Sequence, residues 1–180
     1  MKMQAYQDTP NFHNVVRQEE SASKMPSYLC ARPKSVPDRK ETRMINSQRM
    51  SQRFKELCEI DSVSRNERNV ALEIEKILIS MGAKISYDRA GEQLGGNCSN
   101  MVARFKGTVD APPLFLCAHM DTVEPGKGIK VKFQDGEFQS EGPTILGADD
   151  KSAIAIILEL MDIILEKKID YPPLEIIFTV

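Results

Sequence analysis

The residues best suited to chemistry lie in two short stretches. The first is Ala118-His119-Met120-Asp121-Thr122, which follows the apolar run Leu114–Cys117; the second, about thirty residues later, is Gly147-Ala148-Asp149-Asp150-Lys151. Neutral imidazole and carboxylate oxygen are suitable ligands for Zn²⁺ and similar ions. His119 can serve as a direct ligand. Asp121, two positions on, points to the same side of an extended backbone and can hold the imidazole ring in one orientation and tautomer. Asp149 and Asp150 open a long apolar segment, where the free amides and dipole of a helix start favour negative charge; taken alone they read equally as N-cap carboxylates. Together the two stretches propose a metal site.

Such residues need elements to position them. An apolar run ending in His-x-Asp reads as a buried strand that delivers both side chains to one mouth of a sheet, with Cys117 as a small core residue. The apolar residues of the segment 152–168 surround most of a helix circumference, which predicts a helix buried against that sheet. Pro172-Pro173 ends it, and Leu174–Val180 reads as another buried strand. Upstream, Met50, Phe54, Leu57 and Cys58 recur at helical spacing. A second helical stripe, Val70, Ile74, Ile77, Leu78 and Met81, follows the capping box Ser64-Arg65-Asn66-Glu67 and stops at Gly82. Ile85 and Tyr87 alternate in a short strand, 91–100 forms a loop, and Met101–Lys106 is a strand. Ile129, Val131 and Phe133 alternate ahead of the hairpin signal Asp135-Gly136. Residues 1–43 are polar, contain four prolines and show no period, which predicts a disordered arm; structured sequence starts at Met44.

The 180 residues carry 24 basic and 26 acidic side chains, mixed along the chain, so no basic stripe argues for nucleic acid. The longest apolar stretch is interrupted by Glu159 and Asp162 and is too short to span a bilayer. The N-terminus lacks the apolar segment of a secretory signal, and four scattered cysteines suit reduced thiols, which together predict a cytoplasmic protein.

Beyond the separate motifs, Ala118-His119-Met120-Asp121-Thr122-Val123-Glu124-Pro125-Gly126 and Thr144-Ile145-Leu146-Gly147-Ala148-Asp149-Asp150-Lys151 stand in the order, and with the intervening hairpin, of a known family. From Met44 to Val180 the chain resembles peptidase T-like zinc metallopeptidases, relatives of tripeptide aminopeptidase in the superfamily of aminoacylases and carboxypeptidases. The resemblance implies an α/β fold, a three-layer α/β/α catalytic domain truncated after about its first half. It implies that His119 binds one zinc, that Asp121 is the catalytic aspartate orienting it, and that Asp149 bridges two metals. Asp150 would follow Asp149 across a cis peptide without being a ligand, and Lys151 is left as a structural residue. Zn²⁺ is the expected cofactor, two per complete site, with cobalt or manganese as substitutes, and short peptides are the expected substrates.

The departure from the family is as informative. The strand corresponding to Leu174–Val180 is there followed by a Glu-Glu pair that supplies the general base and a ligand, then by a further acidic ligand and a distal histidine. A lid or dimerisation domain is also inserted, and a homodimer would form only through it. This chain contains none of these, so the expectation is a fragment that binds metal weakly and is inactive alone. A deacylase or carboxypeptidase of the same superfamily is the alternative enzyme; a truncated or degenerate non-catalytic binding domain is the alternative from another class. The family's start also falls near Met44, which makes 1–43 either an arm or upstream sequence from a misplaced start; an intact mass beginning at Met1 in protein from the native gene would defeat the second option.

Overall fold

The computed structural model describes residues 44–180; the arm expected at 1–43 lies outside the described residues. Helix α1 spans Ser47–Glu59, and the side chain of its N-cap Asn46 accepts the Arg49 N–H at 3.0 Å. Phe54, Leu57 and Cys58, the predicted stripe, are its buried residues. Helix α2 spans Arg68–Ser80 and buries Val70, Ala71, Ile74 and Leu78; Gly82 beyond it has the positive φ of a helix exit. The predicted capping box does not form. Glu67 is the N-cap residue and its carboxylate accepts the Arg65 N–H, while the Ser64 hydroxyl is drawn away to Asp121.

Strand β1 covers Lys84–Tyr87 and β2 covers Met101–Phe105. Between them, the stretch expected to be loop contains a short helix, α3, at Ala90–Leu94. Strand β3 is Leu114–His119, β4 is Val131–Gln134, β5 is Glu137–Ser140 and β6 is Leu174–Thr179. The β4–β5 hairpin turns at Asp135-Gly136, both at positive φ, as a two-residue turn requires. Helix α4 spans Ala148–Lys167, but Asp149 and Asp150 have non-helical dihedrals and are joined by a cis peptide; regular helix begins at Lys151. The predicted all-round burial of α4 is partly wrong, because Ile156 and Leu160 lie on an exposed stripe and Leu165 is exposed in the last turn.

The four-stranded sheet has the order β1-β2-β6-β3, with β3 and β6 parallel and the other pairs antiparallel. Register places Met101, Ala103 and Phe105 across from Phe178, Ile176 and Leu174, with Ala118 beside Phe178. These residues share one face and join Ile74, Leu78, Leu158 and Met161 in a single core. Each large side chain buried there contributes about 1.5–3 kcal/mol. The opposite face, with Val102, Phe115, Cys117 and Ile177, stays exposed or half-buried. Of the three expected layers, the described residues therefore supply the sheet and the helices on one side.

That asymmetry corrects the reading of β3 as a buried strand. It is an edge strand of the described sheet, so only Ala118 is buried; Phe115 is 57% exposed, and Cys117, expected in the core, is exposed. Among the described residues no helix is long and apolar enough to cross a membrane.

Candidate functional site

The parallel pair β3–β6 ends at His119, beside Thr179, and the chain then turns through Asp121 and Thr122. Thr122 is held as if it continued the sheet: its N–H donates to Ser62 O at 2.9 Å, and its carbonyl accepts the Ser64 N–H at 3.2 Å. The fixed backbone aims the Asp121 carboxylate at the histidine. His119 Nδ1 lies 2.9 Å from Asp121 Oδ1 and 3.1 Å from the Asp121 carbonyl oxygen. Two acceptors at Nδ1 favour the neutral tautomer protonated there; with that nitrogen protonated, Nε2 hydrogen-bonds a carboxylate only when the ring is doubly protonated.

Nε2 faces Asp149 Oδ1 at 3.1 Å. The loop and the helix start are brought together by two glycines of the motifs. Gly126 packs so tightly that a Cβ would stand 2.6 Å from the Val123 carbonyl, and Gly147 enters α4 with φ +72°, a conformation L side chains rarely adopt. The turn after Gly147 sends Asp149 outward, its side chain 95% exposed, while Asp150 turns back and accepts the His119 backbone N–H at 3.3 Å. The three residues singled out in the sequence, His119, Asp121 and Asp149, thus stand in one hydrogen-bonded row at the edge of an open cleft of about 280 Å³. Val123, Ile145 and Leu146 also line this cleft.

Burial opposes the charged imidazole of His119, but the bonds to Asp149 and Asp121 outweigh it and raise the imidazole above its ordinary pKa. The donor set suits a metal. At Zn–N and Zn–O lengths of about 2.0–2.2 Å, two tetrahedral ligands stand about 3.4 Å apart, near the observed gap between Nε2 and Asp149 Oδ1. Among the described residues no group of three or more His, Cys, Asp or Glu side chains gathers around that point.

The sequence reading missed Ser64 and undervalued Lys151. The Ser64 hydroxyl donates to Asp121 Oδ2 at 2.5 Å, on the oxygen turned away from His119. Lys151 is fully buried, and its ammonium donates to Ser62 Oγ at 2.7 Å and to the Leu57 carbonyl at 3.2 Å. Burial pulls the amine down to about 8, against the nearby Cys58, Asp121 and Asp61. The S-x-x-E spacing of Ser64 and Glu67 predicts a helix cap, and nothing local to it points to Asp121.

No protein-family profile matches the chain. It is 32% identical over 137 residues to the uncharacterized protein YqjE of Bacillus subtilis (strain 168), a match covering 76% of this chain and 37% of that protein. The matched length equals that of the stretch 44–180. A tripeptidase from Staphylococcus aureus superposes with TM-score 0.73 at 36% identity, and the aminopeptidase PepT from Bacillus cereus with TM-score 0.74 at 35% identity. Each covers 76% of this chain, which spans 37% of the solved chain. An aminoacylhistidine dipeptidase from Vibrio alginolyticus, at 21% identity and TM-score 0.59, shares the fold. In sequence and in fold the chain resembles the peptidase T-like peptidases, and its α/β architecture matches part of their catalytic domain.

Proposed function

We propose that residues 44–180 carry one half of the active site of a metal-dependent exopeptidase that hydrolyses short peptides. The observation that supports this most is the row Asp121–His119–Asp149, in which a carboxylate fixes Nδ1 while Nε2 and an exposed carboxylate oxygen converge. His119 and Asp149 would hold the metal, with Asp149 free to share its second oxygen with another ion; zinc is the expected metal, with cobalt or manganese as substitutes. A metal held there would supply Lewis-acid polarisation of the scissile carbonyl and lower the pKa of a bound water. The chain's own part is to orient: Asp121 keeps the proton on Nδ1, Asp150 holds the His119 backbone, and Val123, Ile145 and Leu146 give the cleft an apolar wall for a peptide.

Two protein ligands are one fewer than a catalytic zinc usually has, and among the described residues no group of three or more possible ligands gathers there. The 180-residue chain is therefore expected to show no tripeptide turnover with added Zn²⁺. The decisive experiment grafts residues 44–180 in place of the matched part of the Staphylococcus aureus tripeptidase. A folded chimera should hydrolyse tripeptides and lose at least about a thousandfold in kcat/KM on Asp121→Ala, in line with losses from removing an orienting carboxylate. A folded chimera without turnover, or one indifferent to Asp121→Ala, defeats the proposal.

A further inference from the structure

Lys151 is an uneconomical residue to bury. Its side chain is wholly enclosed and makes no ion pair among the described residues, although a buried ammonium without a counter-ion is costly and an apolar side chain of the same length would fill the space. What the lysine adds is direction. Its two bonds fasten the Leu57 carbonyl at the end of α1 and the buried Ser62 hydroxyl. Ser62 begins the three-residue segment 62–64 that lies along Thr122: Val63 pairs with it as an isolated parallel bridge, and Ser62 O and Ser64 N bond its backbone on either side. The same segment ends in the Ser64 hydroxyl on Asp121 Oδ2.

We propose that Lys151 and Ser64 are positioning residues, which act through the segment 62–64 to fix the Asp121 carboxylate against His119 Nδ1. The functional meaning rests on the metal-site reading above; the test does not need the metal. An Asp121 carboxylate anchored on one oxygen by Ser64, with its backbone clamped at Thr122, presents the other oxygen to the imidazole in a single pose. With the segment loosened, the carboxylate swings, and the proton is shared with the Nε2 side, where Asp149 waits as the competing acceptor.

The experiment is long-range ¹H–¹⁵N spectroscopy of the His119 ring in the metal-free 180-residue chain at pH 8, reading the ratio of the two neutral tautomers. The wild-type ring is expected to be chiefly Nδ1-protonated. Ser64→Ala, at an exposed hydroxyl that leaves the core untouched, should raise the Nε2-protonated share at least threefold. Lys151→Met, which touches neither His119 nor Asp121, should raise it in the same direction, and the double variant should go little further than the larger single change, because both act on one segment. If Lys151→Met does not fold, Ser62→Ala removes the lysine's side-chain acceptor alone and should give the same rise. An unchanged tautomer ratio in Ser64→Ala, or in folded Lys151→Met or Ser62→Ala, overturns the proposal. An inactive chimera with shifted tautomers in these variants would instead count against the peptidase reading and leave the positioning role standing.

Discussion

His119→Ala is expected to lower the affinity of the chain for Zn²⁺ by about a hundredfold or more, equivalent to about 2.7 kcal/mol. The row offers a metal two protein donors, Nε2 of His119 and the Asp149 carboxylate, so losing the imidazole leaves an exposed carboxylate that competes poorly with water. Asp121→Asn should cost less, about tenfold, because it removes the partner that fixes the ring and keeps the ligand. The pH dependence follows from the same geometry. Asp149 and Asp121 hold the imidazole proton more tightly than usual, so the apo protein gains stability from protonated His119 at low pH and loses it as pH rises through the raised pKa. Zinc must displace that proton. Its affinity should therefore climb with pH up through the raised pKa, past the ordinary 6.5, and only then level off, and His119→Ala should flatten the slope. Calorimetric titration of wild type and variant at several pH values measures both effects. Affinity indifferent to the substitution would mean that the two motifs make no working half-site.

The parts of this architecture that were legible in the sequence are those governed by local periodicity. The stripes of α1 and α2, the Asp135-Gly136 turn and the apolar run that becomes β6 each depend on near neighbours in the chain, although β6, read as buried, buries only alternate residues. The burial of β3 was not legible, because apolar content fixes which residues prefer the interior and not which layers are there to cover them. Phe115 and Cys117 are apolar and exposed for that reason. His119, Asp121 and Asp149 could be singled out because their types suit metal chemistry and their two motifs stand in the order of a resembling family; the fold brings the three into one row. Ser64 was read as a cap because the competing acceptor, Asp121, lies 57 residues away in sequence. Lys151 presented the same difficulty: its place near the helix start suits a structural residue, and only the position of Ser62, 89 residues earlier, shows what it holds.

Arg49→Ala is expected to destabilise the chain by about 3–5 kcal/mol, the usual cost of stranding one partner of a buried ion pair. Glu159 sits in the middle of α4 with its side chain 2% exposed, and both its oxygens are taken by Arg49, at 2.8 Å from Nε and 3.0 Å from the second guanidinium nitrogen. The Asn46 N–H adds a third bond at 2.8 Å just before α1 begins. The guanidinium also reaches Asp162 at 3.2 Å and Glu166, and Arg53 meets Asp162 at 2.7 Å, so the contact of α1 with α4 is a charged staple over a hydrophobic seam. Without Arg49, Glu159 keeps one backbone donor in an environment that disfavours its charge. Glu159→Gln, which keeps the volume and relieves the buried charge, should cost less. Burial pushes the Glu159 carboxyl upward, but Arg49 and the Asn46 amide outweigh it and bring the pKa below its ordinary 4.5. A carboxyl with a lowered folded pKa contributes stability that is complete above about 4.5 and is lost as pH falls through the folded value. The gap in unfolding free energy between wild type and Glu159→Gln should accordingly narrow below that pH and stay constant from pH 6 to 8. For a chain of this length a loss of 3 kcal/mol corresponds to a fall of roughly 6–12 °C in Tm. Denaturant unfolding of the three proteins measures the differences, and a cost for Arg49→Ala under about 1 kcal/mol would show that the apolar seam alone holds α1 to α4.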